Sequence, residues 1–280
     1  MSPQNKKIPV PSTVLQGFST GCPSRQKISG LTVLIPIRGS DRNKNLSIIV
    51  PYLLAQNIEP LEILIVEEDI APTIKLGTLS RNSNVHLVFL KSNEPFNKSR
   101  VMNAGTAHAR YNKICMIDVD MIIEKGFLFK ISSLLDTYDV CFTIKDIYFL
   151  TEMPLFSNYF HDGKNWKKNV KFDCHGGIVA YNRIAFTRIG GMNEEFIGHG
   201  SEDTEFYERA KETLKYYDTR FATVLHIPHP RDLECATKNE QKYRKLKREP
   251  IKETIARLKH NFEKNWGTIK PIKSHQPRSD

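Results

Sequence analysis

Apolar residues fall in short runs along this chain, separated by polar punctuation. "LTVLIPI" (31–37) has one polar side chain, Thr32, and closes on the polar turn "RGSDRNKN". A run of that length reads as a strand buried on both faces. "LEILIVEED" (61–69) and "VHLVFLK" (85–91) read the same way, and "KICMIDVDMII" (113–123) reads as a fourth strand. "YDVCFTIKDIYFL" (138–150) and "FATVLHIPH" (221–229) are later strand candidates. Helical spacing marks "NLSIIVPYLLAQN" (45–57), where Pro51 should kink the helix or start a new turn. "NKSRVMNAGTAHAR" (97–110) also reads as a helix, and "DCHGGIVAYNRIAFTRIGG" (173–191) as a strand followed by one. "SEDTEFYERAKETLKYY" (201–217) opens with a cap-like Ser201 and acids before its helical stretch. Residues 151–172 read as a long loop, and 236–265 as mostly helix.

Strands alternating with helices through about residue 130 imply an α/β fold with a mainly parallel sheet and right-handed crossovers. The expected division is a flexible Pro/Ser/Gln/Lys-rich segment (1–30), a catalytic domain (31–235) and a basic helical tail (236–280). In parallel sheets, ligands bind beyond the carboxyl ends of the strands. Polar clusters gather there: Arg38 after the first strand, Glu67 to Asp69 after the second, and Asp118 with Asp120 at the end of the fourth.

The chain has 280 residues and a net charge of +10. Residues 231–280 hold 14 Lys/Arg against 7 Asp/Glu, so most of that charge sits at the C-terminal end. It suits a solvated helix face or an anionic membrane surface. Nucleic acid is not expected, because aromatics for base stacking are not interleaved with the basic residues. The five cysteines are scattered with no CxxC pair, and no apolar run approaches the roughly 18 residues of a membrane span. The first residues lack the apolar stretch of a secretory signal. The expected location is therefore cytoplasmic, with peripheral contact at the inner face of the membrane.

Three groups of residues carry candidate chemistry. Asp118 and Asp120 would share one face of an extended strand, where two carboxylates repel unless a cation compensates them. A hard divalent ion does so, or one acid binds the ion and the other a ribose hydroxyl. Glu202 and Asp203 fall in the first turn of a helix after a loop with four glycines. Either they are capping acids, or one is a general base for a hydroxyl nucleophile. His226 and His229 end the last strand, with Pro228 between them and Pro230 after them. One of them is expected as a metal ligand, and mixed oxygen and imidazole ligation suits Mn²⁺ better than Ca²⁺.

Four segments in order, over about residues 31–232, resemble a known family. They are "IPIRGSDRN", "EPFNKSRVMNAGTAHA", "CMIDVDMI" and "HGGIVAYNRIAFTRIGGMNEEFIGHGSEDTEFYERA", followed by "HPRD". The chain resembles GT-A-fold glycosyltransferases of the β1,4-galactosyltransferase and chondroitin-polymerase type. The resemblance implies a Rossmann-like, mixed and mainly parallel central sheet flanked by helices. It implies Mn²⁺ or Mg²⁺, a UDP-sugar donor and a glycan or lipid-linked saccharide acceptor.

By the same resemblance, Ile37, Arg38, Glu67, Phe96, Asn97, Lys98 and Arg100 would surround the nucleotide. Asp118 would hold the nucleotide sugar, and Gly176 and Gly177 would let backbone approach it. Asp120 with His226 or His229 would bind the metal, Glu202 would hold sugar hydroxyls, and Asp203 would be the base. The chain departs from the family at His199 and Ile197, where aromatics are expected, and at Lys98, where an Arg is expected. Acceptor identity therefore does not carry over. The alternatives are a retaining GT-A transferase and a non-catalytic nucleotide-sugar-binding module.

Overall fold

The computed structural model describes residues 30–56, 58–150, 166–168, 175–198, 200–229 and 233–266. At its centre is β1 (Leu31–Ile37), buried along its whole length. β1 lies parallel to β2 (Leu61–Asp69) on one side and to β4 (Lys113–Ile117) on the other. β3 (Val85–Lys91) extends the parallel set beyond β2. Central strands covered on both faces require continuous apolar runs, which is what these segments carry. Beyond β4 the sheet turns mixed. β9 (Ile178–Asn182) runs antiparallel to β4, and β6 (Val140–Cys141) and β10 (Tyr216–Tyr217) complete seven strands. The expected mixed, mainly parallel sheet is present.

Two of the expected strands are each broken in two. The run 113–123 leaves the main sheet after Ile117. Asp118 N–H donates to Gly177 O at 2.8 Å, and Met121 N–H donates to Asp118 O at 3.0 Å, which closes a turn over Asp118–Asp120. β5 (Met121–Ile123) then pairs antiparallel with β11 (Ala222–His226) in a second sheet of four strands. The run 138–150 splits in the same way into β6 and β7 (Ile144–Leu150), and β7 lies parallel to β11. β8 (Trp166–Lys168) edges this second sheet. The apolar pattern is continuous across both crossings, so periodicity could not reveal them. Asp118 and Asp120 consequently do not share the face of an extended strand.

Helices cover the main sheet. α1 (Asn43–Leu54) runs through Pro51 without ending there, so of the two expectations, a kink or a new turn, the helix does not restart at the proline. α2 (Lys98–His108) is capped by Asn97, whose Oδ1 accepts from Arg100 N–H at 3.0 Å. It lies close on β1 and β2 because residue 105 is glycine; a Cβ there would sit 2.4 Å from Leu34 Cδ1. α3 (Phe127–Leu134), α4 (Arg183–Arg188) and α5 (Glu202–Thr213) follow.

Ser201 stands at the N-cap position of α5, but its side chain does not cap the helix. It adopts a left-handed φ of 67°, and its Oγ reaches Glu240 Oε2 at 3.2 Å. Residues 233–266 form α6 (Leu233–Leu246) and α7 (Ile251–Trp266). Phe262 of α7 is buried in one core cluster with side chains of α2, α4 and α5, and Leu258 is buried against Gly190. No helix among the described residues is long and apolar enough to cross a membrane. The expected N-terminal segment to residue 29, most of the 151–172 loop, His199 and residues 267–280 lie outside the described residues.

Candidate active site

The turn between β4 and β5 places its two acids in different company. Asp120, 7% exposed, faces the end of β11. His229 Nε2 is 3.2 Å from Asp120 Oδ2, and His226 Nε2 is 3.9 Å from Oδ1. The ligand atoms of Asp120, His226 and His229 lie within 4.8 Å of one another. One histidine was expected beside Asp120, and two stand there. Two imidazoles and one carboxylate are a donor set suited to a divalent transition ion. Arg42, from the turn after β1, adds a 3.2 Å contact to Asp120 Oδ2. Burial alone would raise the pKa of Asp120. The His229 hydrogen bond and the charges of His226, His229 and Arg42 outweigh it and hold Asp120 below the ordinary carboxylate range.

Asp118 faces the other way, toward Lys98 at the start of α2. Lys98 Nζ lies 3.0 Å from Asp118 Oδ2, 3.5 Å from Asp203 Oδ2 and 3.8 Å from Glu202 Oε1. Burial pulls the Lys98 ammonium down, but Asp118, Asp203 and Glu202 outweigh it and hold it well above its usual value. Burial pushes Asp118 up to about 6, against the pull of Lys98. Glu202 is pushed up to about 8 by burial and by the charge of Asp203, so it is mostly protonated at neutral pH. Its Oε2 is buried without a hydrogen-bond partner.

The two glycines after His175 serve this cluster. Gly177, at a φ of 83°, supplies the carbonyl that holds the Asp118 amide. A Cβ on Gly176 would fall 2.1 Å from Asp203 Oδ2, so glycine makes room for that carboxylate.

The residues expected around the nucleotide line the carboxyl ends of β1, β2 and the start of α2. Ile37 is buried and pairs in register with Glu67. Arg38 donates to Glu94 O at 2.7 Å and lies 3.6 Å from Asp69. Glu67 Oε1 accepts from Thr73 N–H, Thr73 Oγ1 and Ile74 N–H, tying down the loop after β2. Arg100 pairs with the buried Glu68, which also accepts from Asn97 N–H at 2.8 Å. Phe96 is half-buried and its carbonyl accepts from Gly198 N–H at 2.8 Å.

That last bond belongs to a clamp on the glycine loop before α5 that sequence reasoning missed. Asn103, in the middle of α2, donates to Met192 O at 3.0 Å and Glu194 Oε1 at 2.8 Å, and accepts from Met192 N–H at 2.8 Å. Asn97 Nδ2 donates to Glu194 O at 2.7 Å. From the opposite side, Asn239 of α6 donates to Ile197 O at 2.9 Å, and Lys242 and Arg257 bond to Glu195. Four glycines on their own favour a flexible loop, yet its described residues are pinned between α2 and the C-terminal helices. An asparagine inside an otherwise small and apolar helix face was the one available signal. Arg42 was missed as well, being one of several polar residues in its turn.

The fold and site combine a mainly parallel α/β sheet with an acid–histidine corner and a carboxyl pair at a helix start. Residues 161–230 match the family model described as the N-terminal domain of galactosyltransferase. Crystal structures of TarS 1–349 from S. aureus in complex with UDP-GlcNAc and with UDP are similar to the chain. Both superpose with a TM-score of 0.53, at 16% and 15% identity, covering 72% and 85% of this chain and 60% and 72% of theirs. Full TarS superposes at 0.52, with 74% of this chain spanning 38% of that one. The catalytic domain of Drosophila β1,4-galactosyltransferase 7 in complex with xylobiose is 21% identical over 68% of this chain and 64% of that one. Its TM-score of 0.41 is too low to support a reading. No curated protein sequence matches the chain significantly. The chain thus has the GT-A glycosyltransferase fold, and it spans about 60% of the length of the first TarS structure.

Proposed function

We propose that the chain is a metal-dependent, inverting glycosyltransferase. It moves a sugar (Gal, GalNAc, GlcNAc or Glc) from a UDP-sugar to a hydroxyl of a glycan or lipid-linked acceptor and forms a β-glycosidic bond. One observation carries this reading: an acid pair at the start of α5 shares a lysine with the same Asp118–Asp120 turn that supplies a carboxylate to two histidines. Asp120, His226 and His229 would hold Mn²⁺ or Mg²⁺, an ion that neutralises charge on a leaving diphosphate when bound.

The other steps belong to the protein's own groups. Ile37, Arg38 and the residues after β2 would receive the nucleotide at the carboxyl ends of the strands. Asp118 would accept a hydrogen bond from the donor sugar. Asp203, with 16% side-chain exposure against 4% for Glu202, is the acid of the pair that an acceptor can reach. It takes the acceptor proton as the oxygen attacks the anomeric carbon opposite the diphosphate. Glu202, less exposed and held above the ordinary carboxylate range by burial and by the charge of Asp203, would instead donate a hydrogen bond to a sugar oxygen. Exposed Arg244, Lys245, Lys247 and Arg248 around the α6–α7 turn form the basic face that would meet an anionic membrane. Charge reversal there should lower binding to anionic vesicles and spare UDP binding.

The deciding experiment is a panel of UDP-sugars with Mn²⁺, read as UDP release, followed by NMR of the product. Release that is abolished by EDTA and restored by Mn²⁺, with a β-linked product, is the expected result. Full activity in chelator would remove the metal from the reading. An α-linked product would make the enzyme a retaining transferase. Tight UDP binding without turnover for any donor and acceptor would leave a binding module.

A further inference from the structure

Lys98 sits where local electrostatics disfavour it. The N-terminal turn of a helix carries partial positive charge and attracts anions, so a cation at the first position of α2 is unfavourable unless something holds it. Three carboxyl groups do, Asp118 and Asp203 foremost. Lys98 is 8% exposed, and its Nζ lies 3.0, 3.5 and 3.8 Å from Asp118, Asp203 and Glu202. An ammonium has three protons, and this one has three acidic partners. Among the described residues, no other cation makes an ion pair with any of the three. Two of those partners open α5, and the third belongs to the turn that also carries Asp120. One side chain therefore joins the donor side of the site to the base side.

We propose that Lys98 is a positioning residue that makes the base available only after the donor has bound. Before the donor arrives, the ammonium occupies Asp203 Oδ2 and keeps it from an acceptor hydroxyl. The donor diphosphate, arriving beside Asp118, is a stronger competitor for that ammonium. Lys98 swings toward the phosphate oxygens and releases Asp203. The inference rests on the glycosyltransferase reading above, and it adds to that reading a link between two groups of residues with otherwise separate roles.

The test follows Lys98 itself. Wild-type protein labelled with ¹⁵N-lysine is titrated with UDP in Mg²⁺, a diamagnetic ion, and the Lys98 resonance is assigned by its loss in Lys98→Arg. Saturation is established separately by calorimetry. A displaced Lys98 resonance with UDP plus Mg²⁺, and none with Mg²⁺ alone, is the expected result. Lys98→Met should raise the donor KM about tenfold or more, as for a lost charged hydrogen bond, and lower kcat as well. Lys98→Arg should restore the donor KM. A Lys98 resonance unmoved at UDP saturation overturns the inference, as does Lys98→Met with a wild-type donor KM. If Lys98→Met does not fold, the wild-type spectra decide alone. A wild-type protein that binds no UDP fails at the earlier step, and the glycosyltransferase reading falls with it.

Discussion

The two acids of the Asp118–Asp120 turn sit in opposite corners of one site, and the corners are built differently. The Asp120 corner gathers two imidazoles and a carboxylate, with Arg42 reaching in from the side. The Asp118 corner gathers three carboxylates around an internal cation, Lys98. The first offers a donor set that could hold a divalent ion, and the second pairs its acids with a cation from within. A bare pair of aspartates would suggest that both bind the ion. On the function proposed above, the difference in company gives the ion to one and the link to the base to the other.

The largest expected effect tests the internally neutralised corner. Asp203→Asn keeps the shape and loses the proton acceptor. Turnover should fall by roughly 10²-fold or more while UDP and Mn²⁺ binding persist, measured by steady-state kinetics and calorimetry. Near-normal turnover would reduce Asp203 to a helix-start acid and erase the contrast between the corners.

The metal corner comes next. His226→Ala and His229→Ala should each raise the Mn²⁺ concentration needed for half-maximal activity by about 100-fold, since each would remove a direct ligand. The sequence alone led to the expectation of one severe and one mild variant. If one histidine proves dispensable across metal concentrations, the three-ligand set shrinks to two.

Asn103→Ala touches neither corner and should still slow turnover, by about tenfold. It frees Met192 and Glu194, and a misplacement of about 1 Å at a distance from the chemistry can cost that much or more. Unchanged kinetics would show that Asn97 and the C-terminal helices suffice to hold the loop.

The smallest effect is on stability. Glu202 titrates at about 8 when folded and ordinarily near 4.5. Between those values the folded state binds more protons than the unfolded one, so stability falls as pH rises through that window. Glu202→Gln should melt like wild type at about pH 4 and increasingly above it toward about pH 9, by about 2–4 °C for each 1 kcal/mol relieved. A margin that stays constant with pH would mean that Glu202 is not the group carrying the extra proton.

Much of the fold was legible in the sequence because burial on both faces leaves an unambiguous signature. The bounds of "LTVLIPI", "LEILIVEED" and "VHLVFLK" coincide with β1, β2 and β3. The apolar run 113–123 misled because both halves are buried strands, in different sheets, and hydrophobicity does not register a change of partner. Asp118, Asp120, His226, His229, Glu202 and Asp203 stood out as polar groups at the ends of apolar segments, and the structure brings them together. The roles of Asn103 and Arg42 were not legible. They depend on which distant backbone or carboxylate lies opposite, and that is set by packing. Ser201 shows the converse: a residue of capping type at a helix start bonds elsewhere because its own backbone is left-handed.

The break in the strand after Ile117 bears on how much length variation this site could tolerate. The chain uses Asp118 and Asp120 as two ends of a step from one sheet to the next, with the buried Val119 between them. The single residue separating the acids is then a span fixed by architecture. With one residue fewer or one more, β5 would slip against β11 and its side chains would exchange faces. The spacing would be kept by the strands it joins, whatever sugar the site came to accept.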